Sequence, residues 1–176
     1  MRAPKRRVIF QEINSNVINA IDADNGEKAG SICFMYDGDC SWIDKYGQVH
    51  TADEIKDNKQ ETVYISNVFA YYKNFGIASK LFEHVIQRNN DYVIHSIVNP
   101  DNIESIGLHK KYEMENLGYE DRDEEPWLFF LRKPNKDMNW KPTPMDEPVT
   151  LYKKCKFSAK STDIERIKEN FFQTSV

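Results

Sequence analysis

The chain has no C-x-x-C spacing: its three cysteines, Cys33, Cys40 and Cys155, are sparse and odd in number. Such a set builds no disulfide frame, so reduced thiols in a cytoplasmic, cytosol-like compartment are expected. No apolar run is long enough to span a bilayer. Nothing apolar of signal-peptide type follows the basic leader Arg2, Lys5, Arg6 and Arg7, whose charges are expected to remain hydrated. His50, His84, His95 and His109 lack H-x-x-x-H spacing and have no cysteine partners in sequence, which argues against a zinc site. Ser79 falls in the first turn of an expected helix, not in a G-x-S-x-G elbow, so no Ser-His-Asp nucleophile is read. A net charge of −4 gives no global basic field to hold DNA or RNA. No internal repeat is visible.

What is present concentrates between Val63 and Leu81. Val63, Tyr64, Ile65, Val68 and Phe69 form a β-run that enters a turn carrying Lys73, Asn74 and Gly76. An amphipathic helix follows, with Ile77, Leu81, Val85 and Ile86 on one face and Lys80, Glu83 and Arg88 off it. A strand that turns at a glycine into a helix leaves backbone N–H groups without helical partners, where the helix dipole favours negative charge. That is an anion site, suited to a phosphate or pyrophosphate. The spacing Gly76-Lys80 is not a G-x-x-x-x-G-K-[ST] loop and no G-x-G-x-x-G follows the strand, so two common phosphate motifs are excluded.

What remains, Lys73-x-x-Gly76-x-Ala78, resembles the R/Q-x-x-G-x-G/A signature of the GNAT superfamily, the acyl-CoA-dependent N-acyltransferases. The wider phrase from Val68 to Ala78 follows that family's V-x-P-x-Y-R-G-x-G-I-G pattern. It departs where Ala70 replaces proline, Lys73 replaces arginine and Asn74 replaces the first glycine. A second segment adds to the resemblance. Tyr92 to Val98 is a short β-run ended by Asn99-Pro100, and a helix opens after it. From Asn102, the residues Ser105, Leu108 and His109 and the later Gly118-Tyr119 are similar to N-x-x-A/S-x-x-L-Y/H-x-K-x-G-F. The distance from His109 to Gly118 is longer than the pattern expects. Either the helix carries extra residues through Tyr112 and Met114, or Glu113-Met114 takes the Gly-Phe position and the strand starts later. The resemblance covers residues 6–133.

Several assignments are implied by that resemblance. The fold is mixed α/β: a central, mostly antiparallel sheet, helices on both faces, and one parallel strand pair bracketing acetyl-CoA as co-substrate. Val68, Phe69, Ala70, Lys73, Asn74, Phe75, Gly76, Ile77 and Ala78 take the cofactor. A backbone N–H near Val68 or Phe69 polarises the thioester, and Lys73 to Ala78 takes the pyrophosphate. Asn102, with Ser105 in the same motif, holds the pantetheine arm. The acid that protonates the departing thiolate sits at the His109 position. A phenol with a pKa near ~10 matches a thiol leaving group better than imidazole does, which favours Tyr112, one helical turn on. Both are carried. Glu61, the carboxylate just ahead of the strand, or a chain of ordered water, would deprotonate the amine, whose pKa is near ~10.4.

The first strand is expected over Arg6 to Ile13. Val17 to Ala23 and Lys28 to Tyr36 pair across Asp24-Asn25-Gly26. Asp37 to Gln60 is a polar insert in which Trp42, Ile43, Tyr46 and Val49 form a small hairpin and Thr51-x-x-Glu54 caps a short helix. Gly118 to Arg122 and Trp127 to Lys133 close the sheet. Residues 1–133 therefore make a GNAT-like domain and 134–148 a linker punctuated by Pro134, Pro142, Pro144 and Pro148. Residues 149–176 add a strand over Thr150 to Phe157 and a helix opened by Thr162-x-x-Glu165, with Ile164, Ile167 and Phe171 on its apolar face. That helix is too short to stand alone and is expected to dock on its own domain.

Relatives of this family usually place two helices between the first and second strands. There is no room for them between Ile13 and Val17. The acceptor side is then open, or is roofed by the insert, the tail or another subunit of a homo-oligomer. An open site favours a polypeptide acceptor over a small metabolite. Glu113, Glu115, Glu120, Asp121, Asp123, Glu124 and Glu125 crowd the region bordering that side and would attract a cationic amine, or serve only to solvate a loop. The expected activity is acetyl-CoA-dependent N-acetylation of a cationic primary amine, a protein lysine or N-terminus. The alternative is an inactive GNAT-like module that binds acyl-CoA or a partner protein.

Overall fold

The structure is a computed structural model that describes residues 4–37, 39–55, 61–135 and 143–154. The helix expected from Thr162, with Ile164, Ile167 and Phe171, lies outside the described residues. Two compact units divide the chain: residues 4–35, 65–89 and 143–154 in the first, and 36–64 and 90–135 in the second.

In the first unit, β1 (Lys5–Asn14) returns as β2 (Val17–Asp22) after only Ser15 and Asn16. No helix layer intervenes, as the sequence predicts. Alternation places Val8 and Phe10 of β1 and Ile18 and Ala20 of β2 in the core at 0 % exposure. The turn from β2 into β3 (Lys28–Asp37) is held by buried Asp22, whose Oδ1 accepts the N–H groups of Asp24 and Asn25, with Gly26 at φ 74. The residues of β6 (Thr62–Ala70) from Ile65 onward lead into α1 (Ile77–Arg88). Its expected apolar face, Ile77, Leu81, Val85 and Ile86, is fully buried together with Phe82, and packs on β2. Each such side chain contributes about 1.5–3 kcal/mol. The polar face is laced by Lys80–Glu83 at 3.4 Å and Arg88–Glu12 at 2.8 Å.

The tail returns to this unit. β10 (Val149–Tyr152) pairs antiparallel with β1, from Lys5↔Tyr152 to Val8↔Val149. Past Tyr152 the Lys153 N–H donates to the Pro4 carbonyl at 2.8 Å, in register with the ladder. The last residues of the expected Thr150–Phe157 strand, from Cys155 on, lie outside the described residues. Ending the chain after Lys133 is therefore expected to cost stability, since β1 loses one of its two partner strands and the half-buried Val149 and Leu151. The expected loss is about 2–3 kcal/mol, a little over one buried aliphatic side chain. Urea titration of the two lengths measures it. Equal midpoints would make the tail an undocked appendage.

The second unit contains the start of β6, then β7 (Val93–Val98), α2 (Ile103–Lys111), β8 (Glu115–Arg122) and β9 (Glu125–Arg132), with the insert hairpin β4 (Ser41–Ile43) and β5 (Val49–Thr51). Their order is β6-β7-β9-β8-β4-β5. The β6–β7 ladder is parallel, from Thr62↔Val93 to Tyr64↔His95, whereas β7–β9, β9–β8, β8–β4 and β4–β5 are antiparallel. The fold class is thus mixed α/β with a mostly antiparallel sheet, as expected. Trp42 of the insert stacks on Phe129 at 4.9 Å and joins Val93 and Leu131 in the core. Thr51 precedes a short 3-10 helix, Ala52–Glu54, without making a side-chain cap. The insert joins β8 as an edge hairpin through Ile43↔Tyr119 rather than lying over a sheet face. Gly118, at φ 146, makes this join possible: a Cβ there would collide with the Ile43 carbonyl.

The strand after α2 begins at Glu115, three residues before the expected Gly118. Glu113 takes the left-handed conformation, φ 62, where glycine usually ends a helix. Met114 behind it is buried. Of the two readings left open by the sequence, a longer helix is not seen. The later strand start expected with Glu113-Met114 in the Gly-Phe position is not seen either, because β8 begins directly at Glu115. Gly118 serves the insert instead.

Candidate active site

The turn between β6 and α1, read from the sequence as an anion site, is built by local geometry. Val68, Phe69 and Ala70 end β6 half-buried, and the Tyr71 N–H donates to the Ala29 carbonyl at 2.9 Å. Gly30 on β3 permits this approach: a Cβ there would lie 2.7 Å from the Phe69 carbonyl oxygen and 3.0 Å from Ile77. The guanidinium of Arg6 lies 3.2 Å over the Tyr72 ring, which pins the start of the turn. Phe75 is buried, whereas Lys73 and Asn74 are exposed. Asn74 at φ 67 and Gly76 at φ 78 are both left-handed, so the glycine missing from the family phrase is replaced by a residue type that tolerates this conformation. Gly76 is the N-cap of α1 and offers no side-chain cap, and the first turn contains no acidic residue. An anion at Ile77 and Ala78 would meet the positive end of the helix.

In the second unit, Asn102 is the N-cap of α2, and its side chain accepts the Ser105 N–H at 3.1 Å. The carbonyl end of this amide is thus committed to the helix cap. Ser105 is half-buried. His109 lies at 2 % exposure, tilted against Phe130 at 5.1 Å, with Nδ1 donating to the Ser105 carbonyl at 2.6 Å. Burial pushes its pKa down to about 4, so the ring is neutral near pH 7. Tyr112 is the C-cap of α2 at 5 % exposure, with the Lys111 ammonium 5.4 Å from its ring. His109 and Tyr112 share the last turn of α2, so the structure brings the two acid candidates together. Glu61 lies exposed just ahead of β6, at the opposite end of that strand from Val68–Ala70.

No family model and no curated protein matches the chain. Among solved structures it is similar to a histone acetyltransferase HPA2 and related acetyltransferase from Corynebacterium glutamicum, with 19% identity and a TM-score of 0.48 over 70% of this chain and 67% of that one. It is similar to Arabidopsis thaliana NAA60 in complex with acetyl-CoA, with 15% identity and a TM-score of 0.49 over 68% and 77%. A third likeness is to an N-acetyltransferase from Staphylococcus aureus, with 17% identity and a TM-score of 0.49 over 71% and 74%. At these values the likeness stops short of function.

Three polar groupings have no signal in the sequence pattern. His95 places Nε2 3.1 Å from the Thr62 hydroxyl and stacks between Tyr64 at 5.2 Å and Phe129 at 6.0 Å. Burial lowers its pKa to about 4. His50 in the insert contacts Asp44 at 2.6 Å through Nε2 and Glu54 at 2.9 Å through Nδ1. These hydrogen bonds, Asp44 first, raise its pKa and tie the hairpin to the 3-10 helix. The third is Lys154, whose backbone N–H donates to the Asn74 carbonyl at 2.7 Å. Only the alternation of β10 hinted that the tail returns, and no local pattern names its partner.

Proposed function

We propose that the chain is an acetyl-CoA-dependent N-acetyltransferase of GNAT type acting on a cationic primary amine, a protein lysine or N-terminus. The observation that carries this reading is the turn from Lys73 to Ala78. Its two left-handed residues, uncapped helix start and lack of carboxylates are what a bound pyrophosphate requires.

In this reading the amine nitrogen attacks the thioester carbonyl carbon, and its proton leaves through ordered water. Glu61 is set aside because it lies at the wrong end of β6. A backbone N–H near Val68 or Phe69 stabilises the developing oxyanion. The C–S bond breaks, and the thiolate sulfur takes a proton from the Tyr112 hydroxyl. His109 fills the family's acid position but is neutral, with its Nδ1–H held by Ser105, so it has no acidic proton to give. The exposed carboxylates of Glu120 to Glu125 on the β8–β9 hairpin favour a cationic acceptor.

The test is turnover of acetyl-CoA over a panel of lysine peptides, N-terminal peptides and polyamines. Tyr112→Phe keeps the ring and removes only the hydroxyl; it is expected to lower kcat by ~10²–10⁴-fold with unchanged acetyl-CoA affinity. His109→Gln is expected to cost little rate in whatever fraction folds. The reverse pattern would return the acid to His109, and full rate in both would leave proton delivery to solvent. The non-catalytic module is favoured by one observation, that Asn102 spends its carbonyl on the helix cap. Acetyl-CoA binding without thiol release across the whole panel would establish that module.

A further inference from the structure

The turn that opens α1 is completed by a residue eighty positions away. The Lys154 N–H holds the Asn74 carbonyl at 2.7 Å, and the Lys153 N–H holds that of Pro4 at 2.8 Å. Together with the β10–β1 ladder, these bonds fix the backbone of Lys154 beside the turn. Among the described residues other than Gly76 and its chain neighbours, its Nζ is the one heavy atom within 4 Å of where a Gly76 Cβ would stand, at 3.8 Å. Neighbouring cations are engaged: Lys80 with Glu83 at 3.4 Å, and Arg6 with Asp22 at 3.4 Å and the Tyr72 ring. Among the described residues, no carboxylate forms an ion pair with Lys154.

An ammonium at a helix N-terminus is repelled by the dipole. Both become favourable once an anion lies between them. We infer that Lys154 is a phosphate-binding residue, supplied by the C-terminal extension to the nucleotide end of acetyl-CoA. The inference rests on the cofactor reading above and adds to it a residue outside both motifs. It also gives the tail a function: docking of β10 delivers a cation to a site that has only Lys73 in its own loop. The chemistry recognised is that of a phosphate anion, so the thioester and pantetheine portions gain nothing from it.

Lys154→Ala is suited to the test because the anchor to Asn74 runs through the backbone and the side chain is exposed. Calorimetric titration of the full-length chain with acetyl-CoA, at low and at high salt, is compared for wild type, Lys154→Ala and Lys154→Arg. The alanine variant is expected to bind roughly 2–5-fold more weakly at low salt, the upper range of one exposed charge contact, and with a shallower salt dependence. Arginine should restore most of the affinity. S-acetylpantetheine, which has no pyrophosphate or nucleotide, should be used equally well by all three. Equal acetyl-CoA affinity and salt dependence in wild type and Lys154→Ala would overturn the inference and leave the cofactor reading standing. Equal losses toward both thioesters would overturn it too, because the residue would then not act on phosphate. No acetyl-CoA binding by the wild type would remove the cofactor reading and this inference together.

Discussion

Gly76→Glu is expected to abolish acetyl-CoA binding in a chain that still folds. Gly76 sits at φ 78, ψ 19, so any side chain there costs about 1–2 kcal/mol of backbone strain. Space is not the obstacle, since the nearest neighbour of an added Cβ is the flexible end of Lys154. The new carboxylate would be attracted to that ammonium and to the start of α1, and would occupy the place an anion should take. Gly76→Ala is the control: it introduces the strain without the charge and should only weaken binding. Calorimetry with a melting curve on each variant decides it. Undiminished affinity in a folded Gly76→Glu chain would remove the cofactor assignment.

Acid should weaken the protein well before its carboxylates titrate. His95 and His109 are buried, and each has its pKa lowered from 6.5 to about 4; burial also lowers that of His84. Between those values the unfolded chain binds protons that the folded chain refuses. Stability therefore falls as pH drops below 6.5 and stops falling from this source below 4. Each of the two strongly shifted groups should withdraw about 2 kcal/mol by pH 5 and about 3 by pH 4, against a total of ~5–15 kcal/mol for a domain. His50 has the opposite sign. Its raised pKa contributes stability that is complete below 6.5 and is lost as pH rises through the folded value. Urea midpoints between pH 7.5 and 4.5 measure the slope, and His95→Asn should remove about one proton's share of it. A flat profile down to pH 5 would mean these rings are reached by water.

The elements were legible where their signal is local. Period-two alternation and Asp24-Asn25-Gly26 marked the β2–β3 hairpin, and helical spacing marked α1 with its buried face. Features that depend on distant partners left no such trace. Glu113 occupies a left-handed position that glycine would have announced, so the start of β8 was read late, at a glycine that belongs to the insert. Asn102 was legible as a motif residue, yet only the folded structure reveals that its oxygen caps the helix. The contacts of Thr62 with His95 and of Lys154 with Asn74 join residues that no periodicity relates. Burial, the property that separates His109 from an ordinary acid, depends on distant residues such as Phe130 of β9, against which its ring is tilted.

The tip of the β8–β9 hairpin bears on how fast a partner is found. Asp123 and Glu124 turn the chain with φ 51 and φ 67, a conformation for which Asn-Gly is the favoured pair. Two carboxylates are held there despite the strain, with Asp121, Glu120 and Glu125 exposed on the adjoining strand ends. Such a cluster acts at long range. A field of this kind acts on the encounter rate with any cation that approaches that end of the hairpin, and hardly on dissociation. Its effect belongs to diffusion rather than to chemistry, and it fades once the Debye length shrinks below the distance to the incoming charge.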